Sequence, residues 1–159
     1  MTNWAQNWVT FYGEETQLKQ VNDMFKAMEN KEKLSEEGQI PPFMEKPEQD
    51  YFFEICSDEI DTISYTTKWS PNVDDLVVIA NHFNLNFVST YEETGSNIFG
   101  KAIFTAGNSE AKKYDLKKDD FDLYEFDEKA DTYIFEGEKY ECESDILQII
   151  FERKFNQNY

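Results

Sequence analysis

The chain has 159 residues, 33 acidic and 15 basic, for a formal net charge of −18 at pH 7. Phosphates are held by clustered Lys and Arg, so this balance excludes a basic nucleic-acid or anionic-membrane surface. The 14 Phe, 9 Tyr and 3 Trp supply enough large side chains for a core and exclude a disordered chain.

The opening Asn3-Trp4-Ala5-Gln6-Asn7-Trp8-Val9-Thr10-Phe11-Tyr12-Gly13 predicts a first strand over Asn7 to Tyr12, ended by Gly13. Glu14 to Leu34 reads as a helix, with Leu18, Val21, Met24, Phe25 and Met28 as its buried stripe. Ser35 to Gln49 holds Gly38, Pro41, Pro42 and Pro47, which forbid regular structure, while Ile40, Phe43 and Met44 anchor it as an ordered lid. Tyr51 to Cys56 predicts a second strand, with Phe53 and Ile55 on one side and Phe52 and Glu54 on the other. The acidic turn Ser57-Asp58-Glu59 leads to a third strand, Ile63 to Trp69, in which β-branched and aromatic residues alternate with polar ones.

Ser70 and Pro71 suit an N-cap and a first helical position. Val73, Leu76, Val77, Ala80 and Phe83 give the following helix its apolar stripe, Asp74 and Asp75 suit its first turn, and Asn84 closes it. Phe87 to Tyr91 alternates again, Thr94-Gly95-Ser96-Asn97 turns, and Ile98 to Phe104 returns as an added strand. The order is βαββαβ plus one strand: an α+β fold with an antiparallel sheet backed by two helices.

Three segments carry a resemblance: Tyr65-Thr66-Thr67-Lys68-Trp69-Ser70-Pro71-Asn72, Tyr91-Glu92-Glu93-Thr94-Gly95 and Phe99-Gly100-Lys101-Ala102. With the opening, they resemble a family of small, uncharacterised phage and plasmid proteins described by a YubB-type ferredoxin-like domain. Members often carry Cys where this chain has Ala5. The resemblance covers roughly residues 1–107. It implies a ferredoxin-like α+β sandwich and a mobile-element origin, with no catalytic residues to carry over.

Residues 108–159 read as an acidic C-terminal extension packed on that core, in what is expected to be one structural unit. They carry −7, against −11 for residues 1–107, so the negative charge belongs to the whole body. Asp119-Asp120-Phe121-Asp122-Leu123-Tyr124-Glu125-Phe126-Asp127-Glu128 interleaves acids with aromatics. Thr132 to Phe135 and Lys139-Tyr140 predict a hairpin around Glu136-Gly137-Glu138. Ser144 can cap a last helix facing inward with Ile146, Leu147 and Ile150, though a strand over 146–151 fits the short apolar run as well.

Catalytic and ligand chemistries find little footing. The single His82 lies in the last turn of a helix, where capping or partial burial accounts for it. Cys56 and Cys142 form no C-x-x-C pattern and read as two buried free thiols. Asp119, Asp120 and Asp122 lack the spacing and glycine of a calcium loop, and no phosphate-binding glycine loop occurs. Glu92 and Glu93 are sequential on a strand, so they are expected on opposite sides. No catalytic residue, cofactor or metal site is expected. No apolar run is long enough to span a membrane, and the start lacks a signal-peptide pattern, so a cytoplasmic location in a bacterial host is expected.

Three functions stay open. The first is a non-enzymatic interaction protein that binds a basic host protein, in its sharper form an acidic mimic of nucleic acid acting against a defence enzyme. Its candidate contacts are Asp119, Asp120, Phe121, Asp122, Glu125, Phe126, Asp127 and Glu128. The second is an enzyme or small-ligand binder using the sheet face around Tyr65, Trp69 and Tyr91. The third is a homodimer made by sheet-edge pairing.

Overall fold

The computed structural model describes residues 3–57 and 61–155. In chain order its elements are β1 (Trp4–Tyr12), α1 (Glu15–Ser35), β2 (Phe53–Cys56), β3 (Ile63–Lys68), α2 (Val73–Phe83), β4 (Asn86–Glu93), β5 (Ile98–Phe104), β6 (Lys112–Asp115), β7 (Glu125–Asp127), β8 (Thr132–Phe135), β9 (Glu138–Tyr140) and α3 (Glu143–Phe155). The expected turn at Asp58-Glu59 lies outside the described residues.

β1 starts at Trp4, earlier than Asn7, because both neighbours reach it: Trp4 pairs with Lys68 of β3 and Gln6 with Glu92 of β4. Ala5, Asn7, Val9 and Phe11 are buried on one face. Trp4, Trp8 and Tyr12 are exposed on the other, four residues apart on a period-two strand. The large sheet has the order β2-β3-β1-β4-β5-β6, with every described pairing antiparallel. α1 and α2 cover the Val9–Phe11 face, where Val21, Phe25, Met28, Leu76 and Ile79 meet Phe52, Tyr65, Phe87 and Phe104. The βαββαβ order and the added β5 are thus present. β6, in the acidic extension, adds a sixth strand at the edge beside β5.

Three local expectations are corrected. β2 does not alternate simply: Phe52 and Ile55 are both buried, and the register against β3 shifts between Phe53 and Cys56. Glu54 adopts φ 49° there, which puts Phe52 and Ile55 on the same side. The second helix is entered from Asn72, two residues after Ser70, whose backbone oxygen instead accepts the Thr67 hydroxyl at 2.7 Å. Cys56 and Cys142 are exposed free thiols, because the β2 bulge and the loop before α3 leave both outside the cores. Asn84 closes α2 as expected, at φ 56° with its N–H on Ala80 O.

A second hydrophobic cluster gathers Leu116, Phe121, Phe135, Ile146, Leu147, Ile150 and Phe151. It packs on the helix-free side of the large sheet, where Phe99 meets Phe151 edge to face at 6.0 Å. β8 and β9 form the expected hairpin, and β7 joins them as a third strand. Glu136 and Gly137 both take positive φ in its two-residue turn, as a primed turn requires. The 146–151 run is helical, within α3.

Candidate functional site

Tyr65 and Tyr91 flank Asn7 in register across β1. That places both on the helix-covered face, 2% and 5% exposed. The Tyr65 hydroxyl donates to Asn72 Oδ1 at 2.7 Å, and the Tyr91 hydroxyl to Asp115 Oδ1 at 2.6 Å. Burial, and then the Asp115 carboxylate, push the Tyr91 phenol far up, so it stays a proton donor. Trp69 lies past the end of β3 at φ 73° and is exposed. The sheet-face trio is therefore not brought together on an open face: two members fill the core and the third turns out of the strand.

The acidic segment is also divided by its surroundings. Phe121 is buried in the second cluster, so it anchors the fold and is not an exposed contact. Asp120 accepts the Lys117 N–H at 2.7 Å and pairs with Lys154 at 2.8 Å. Burial would raise its carboxyl, but the Lys154 and Lys117 bonds prevail and lower it. Asp127 accepts from Lys129 N and Ala130 N and shapes the turn after β7. Asp119, Asp122, Glu125, Phe126 and Glu128 remain exposed, with Phe126 leaning on Tyr133 at 4.9 Å between centroids.

Two adjoining pockets open where the C-terminal unit meets the sheet. One, of about 480 Å³, lies between the open sheet face and α3. Trp8, Thr90, Glu92, Phe99 and Lys101 form its sheet wall, and Ser144, Asp145, Gln148, Phe151 and Glu152 its helical wall. The other, of about 390 Å³, is lined by Trp4, Gln6, Glu92, Glu93, Tyr133, Glu141, Cys142, Glu143 and Ser144, with Thr94 at its rim. Both pockets share Glu92 and Ser144, whose side chains are joined by a 2.9 Å hydrogen bond. Together they make one groove with Glu92, Glu93, Glu141, Glu143, Asp145 and Glu152 in its walls and Lys101 as the one cationic lining residue among those described.

Reading by segment missed this groove because its walls come from β1, β4, β5 and α3, far apart in sequence. One signal was legible: Trp4 and Trp8 share a strand face at a four-residue spacing. Glu92 and Glu93, expected to diverge, both line the pocket beside Trp4. β4 ends at Glu93, and the chain turns there into a short 3-10 segment, with Glu93 Oε1 accepting from Gly95 N at 3.0 Å.

A family model described as the ferredoxin-like domain in Api92-like protein matches residues 50–136. The chain belongs to this family. The match runs from the start of β2 through β8, so it takes in most of the sheet and part of the C-terminal unit. No curated protein and no solved structure matches the chain.

His82 lies in the last turn of α2, as expected, and stacks flat on Phe43 at 3.6 Å, tying α2 to the 35–49 loop. Among the described residues no group of three His, Cys, Asp or Glu is placed to hold a metal ion. Among the same residues no helix is long and apolar enough to cross a membrane.

Proposed function

We propose that the protein is a non-enzymatic interaction protein of a phage or plasmid, of the YubB type, acting in the bacterial cytoplasm on a host protein with a basic surface. The observation that carries this is the groove: exposed Trp4 and Trp8 among six carboxylates, between two separately packed cores. The net charge of −18 draws a basic partner in from a distance, and the aromatics supply close contact once water is displaced. In the sharper form, the carboxylates stand where phosphates would lie in the nucleic-acid groove of a host defence enzyme. The exposed acids of 119–128 then add to the long-range field and are not the main contact.

The test is capture from bacterial lysate by the wild type and by Asp145→Asn/Glu152→Gln, washed at low and high salt. The expected partner is a basic, nucleic-acid-binding protein, held at low salt, released at high salt and bound about 10-fold more weakly by the variant. Equal capture by both proteins at both salts contradicts the proposal.

A further inference from the structure

We infer that the pocket beside Trp4 receives an arginine side chain from an extended basic segment of the partner. This rests on the binding function proposed above and names the chemistry of its ligand. The pocket is lined by four carboxylates, two aromatic rings and no Lys or Arg. Three carboxylates are partly engaged: Glu92 accepts from Ser144 Oγ, Glu143 from the Tyr124 hydroxyl, and Glu93, through Oε1, from Gly95 N. The other oxygen of Glu93, Oε2, has no hydrogen-bond partner among the described residues. Glu141 is exposed and has no polar partner among the described residues.

Four carboxylates around one pocket repel one another, and a cation received among them relieves that repulsion. Guanidinium is the fitting group: its planar fork meets carboxylates bidentately and stacks on aromatic faces, which an ammonium does less well. The Trp4 ring already has one cation beside it, Lys68 Nζ at 5.9 Å from the ring centroid. The adjoining pocket is of mixed sign through Lys101 and suits a polar side chain. Trp4 and Trp8 are four residues apart on β1, about 13 Å at strand rise. One extended segment therefore reaches both pockets with side chains four residues apart.

The experiment titrates the full chain with an end-blocked eight-residue arginine-rich peptide, its lysine counterpart and spermidine, following the indole N–H signals of Trp4, Trp8 and Trp69 by NMR. Trp→Phe variants assign the signals, and an otherwise unchanged spectrum in those variants shows that the fold is kept. The expected result is movement of Trp4 and Trp8 but not Trp69. The arginine peptide binds several-fold tighter than the lysine peptide, and Glu93→Gln/Glu141→Gln weakens it about 10-fold with a flatter salt dependence. Equal affinity of that variant, movement confined to Trp69, or spermidine binding as tightly as the peptide overturns the inference. A captured partner that responds to Asp145→Asn/Glu152→Gln but not to Glu93→Gln/Glu141→Gln also overturns it while leaving the binding function standing. A partner indifferent to both variants overturns the function itself.

Discussion

One carboxylate, Asp75, fastens a whole loop. Fully buried at the start of α2, it accepts the backbone N–H groups of Glu48, Gln49 and Asp50 at 2.6 to 3.1 Å. Burial raises its carboxyl, and those three bonds act against the rise. Asp75→Ala leaves three amides without their acceptor and should cost about 3 kcal/mol or more in urea unfolding. A loss under 1 kcal/mol would show that water replaces the carboxylate at little cost. Glu29 plays the same part on α1, taking Ser57 N at 2.9 Å and Ser57 Oγ at 2.7 Å beside Lys33. Burial pushes its carboxyl up, but the bonds from Ser57 and Lys33 and the charge of Lys26 prevail and hold it at about 2 instead of 4.5. A depressed carboxylate stabilises the fold above its unfolded value and loses that stabilisation as pH falls through the folded one. The advantage of wild type over Glu29→Gln should therefore be up to about 3 kcal/mol above pH 4.5 and shrink toward pH 2. A difference unchanged across that window, followed by chemical denaturation, would rule the linkage out.

At the scale of elements, α3 makes the groove by docking on a sheet face that the first two helices leave uncovered. Ile146 and Leu147 are fully buried, and Phe151 meets Phe99 of β5. Leu147→Ala should cost about 2–5 kcal/mol and release amide protection first in α3 and β8, with β1 and β4 still protected. Simultaneous loss everywhere would mean that the two clusters unfold as one. The legibility of these elements followed their dependence on local pattern. The α1 stripe at Val21, Met24, Phe25 and Met28 is buried as the 3.6-residue period requires, and the alternation in β4 and β5 holds in register from Phe87–Phe104 to Glu93–Ile98. The β2 bulge, the N-cap at Asn72 and strand β6 were hidden because each depends on a partner remote in sequence: Glu32 receiving Glu54 N and Ile55 N, Asp50 O receiving the Asn72 amide, and β5 offering its edge. Gly100 is a similar case. A Cβ there would overlap the Asp115 carboxylate and the Tyr91 ring, a need that no single segment reveals. The candidate site was less legible than the fold, since its carboxylates converge only when Glu92 of β4 is tied to Ser144 of α3.

For the whole molecule, sign and shape act at different ranges. An excess of 18 negative charges creates a field felt beyond contact, yet at ordinary ionic strength it decays over about 8–10 Å. The field alone therefore selects basic partners in general, and the groove, with its two tryptophans, selects among them. The exposed acids Asp119, Asp122, Glu125 and Glu128 belong to the field; Trp8, Asp145 and Glu152 belong to the groove. The most direct measurement is the dissociation constant of the captured partner across a salt series, for wild type, for Trp8→Ala, and for a variant with those four outer acids neutralised. The outer-acid variant is expected to lose less than about 5-fold, mainly in association rate, while Trp8→Ala loses at least about 30-fold at every salt concentration. A Trp8→Ala protein that binds like wild type, beside an outer-acid variant that does not bind, would contradict this expectation and move the contact to the acidic segment.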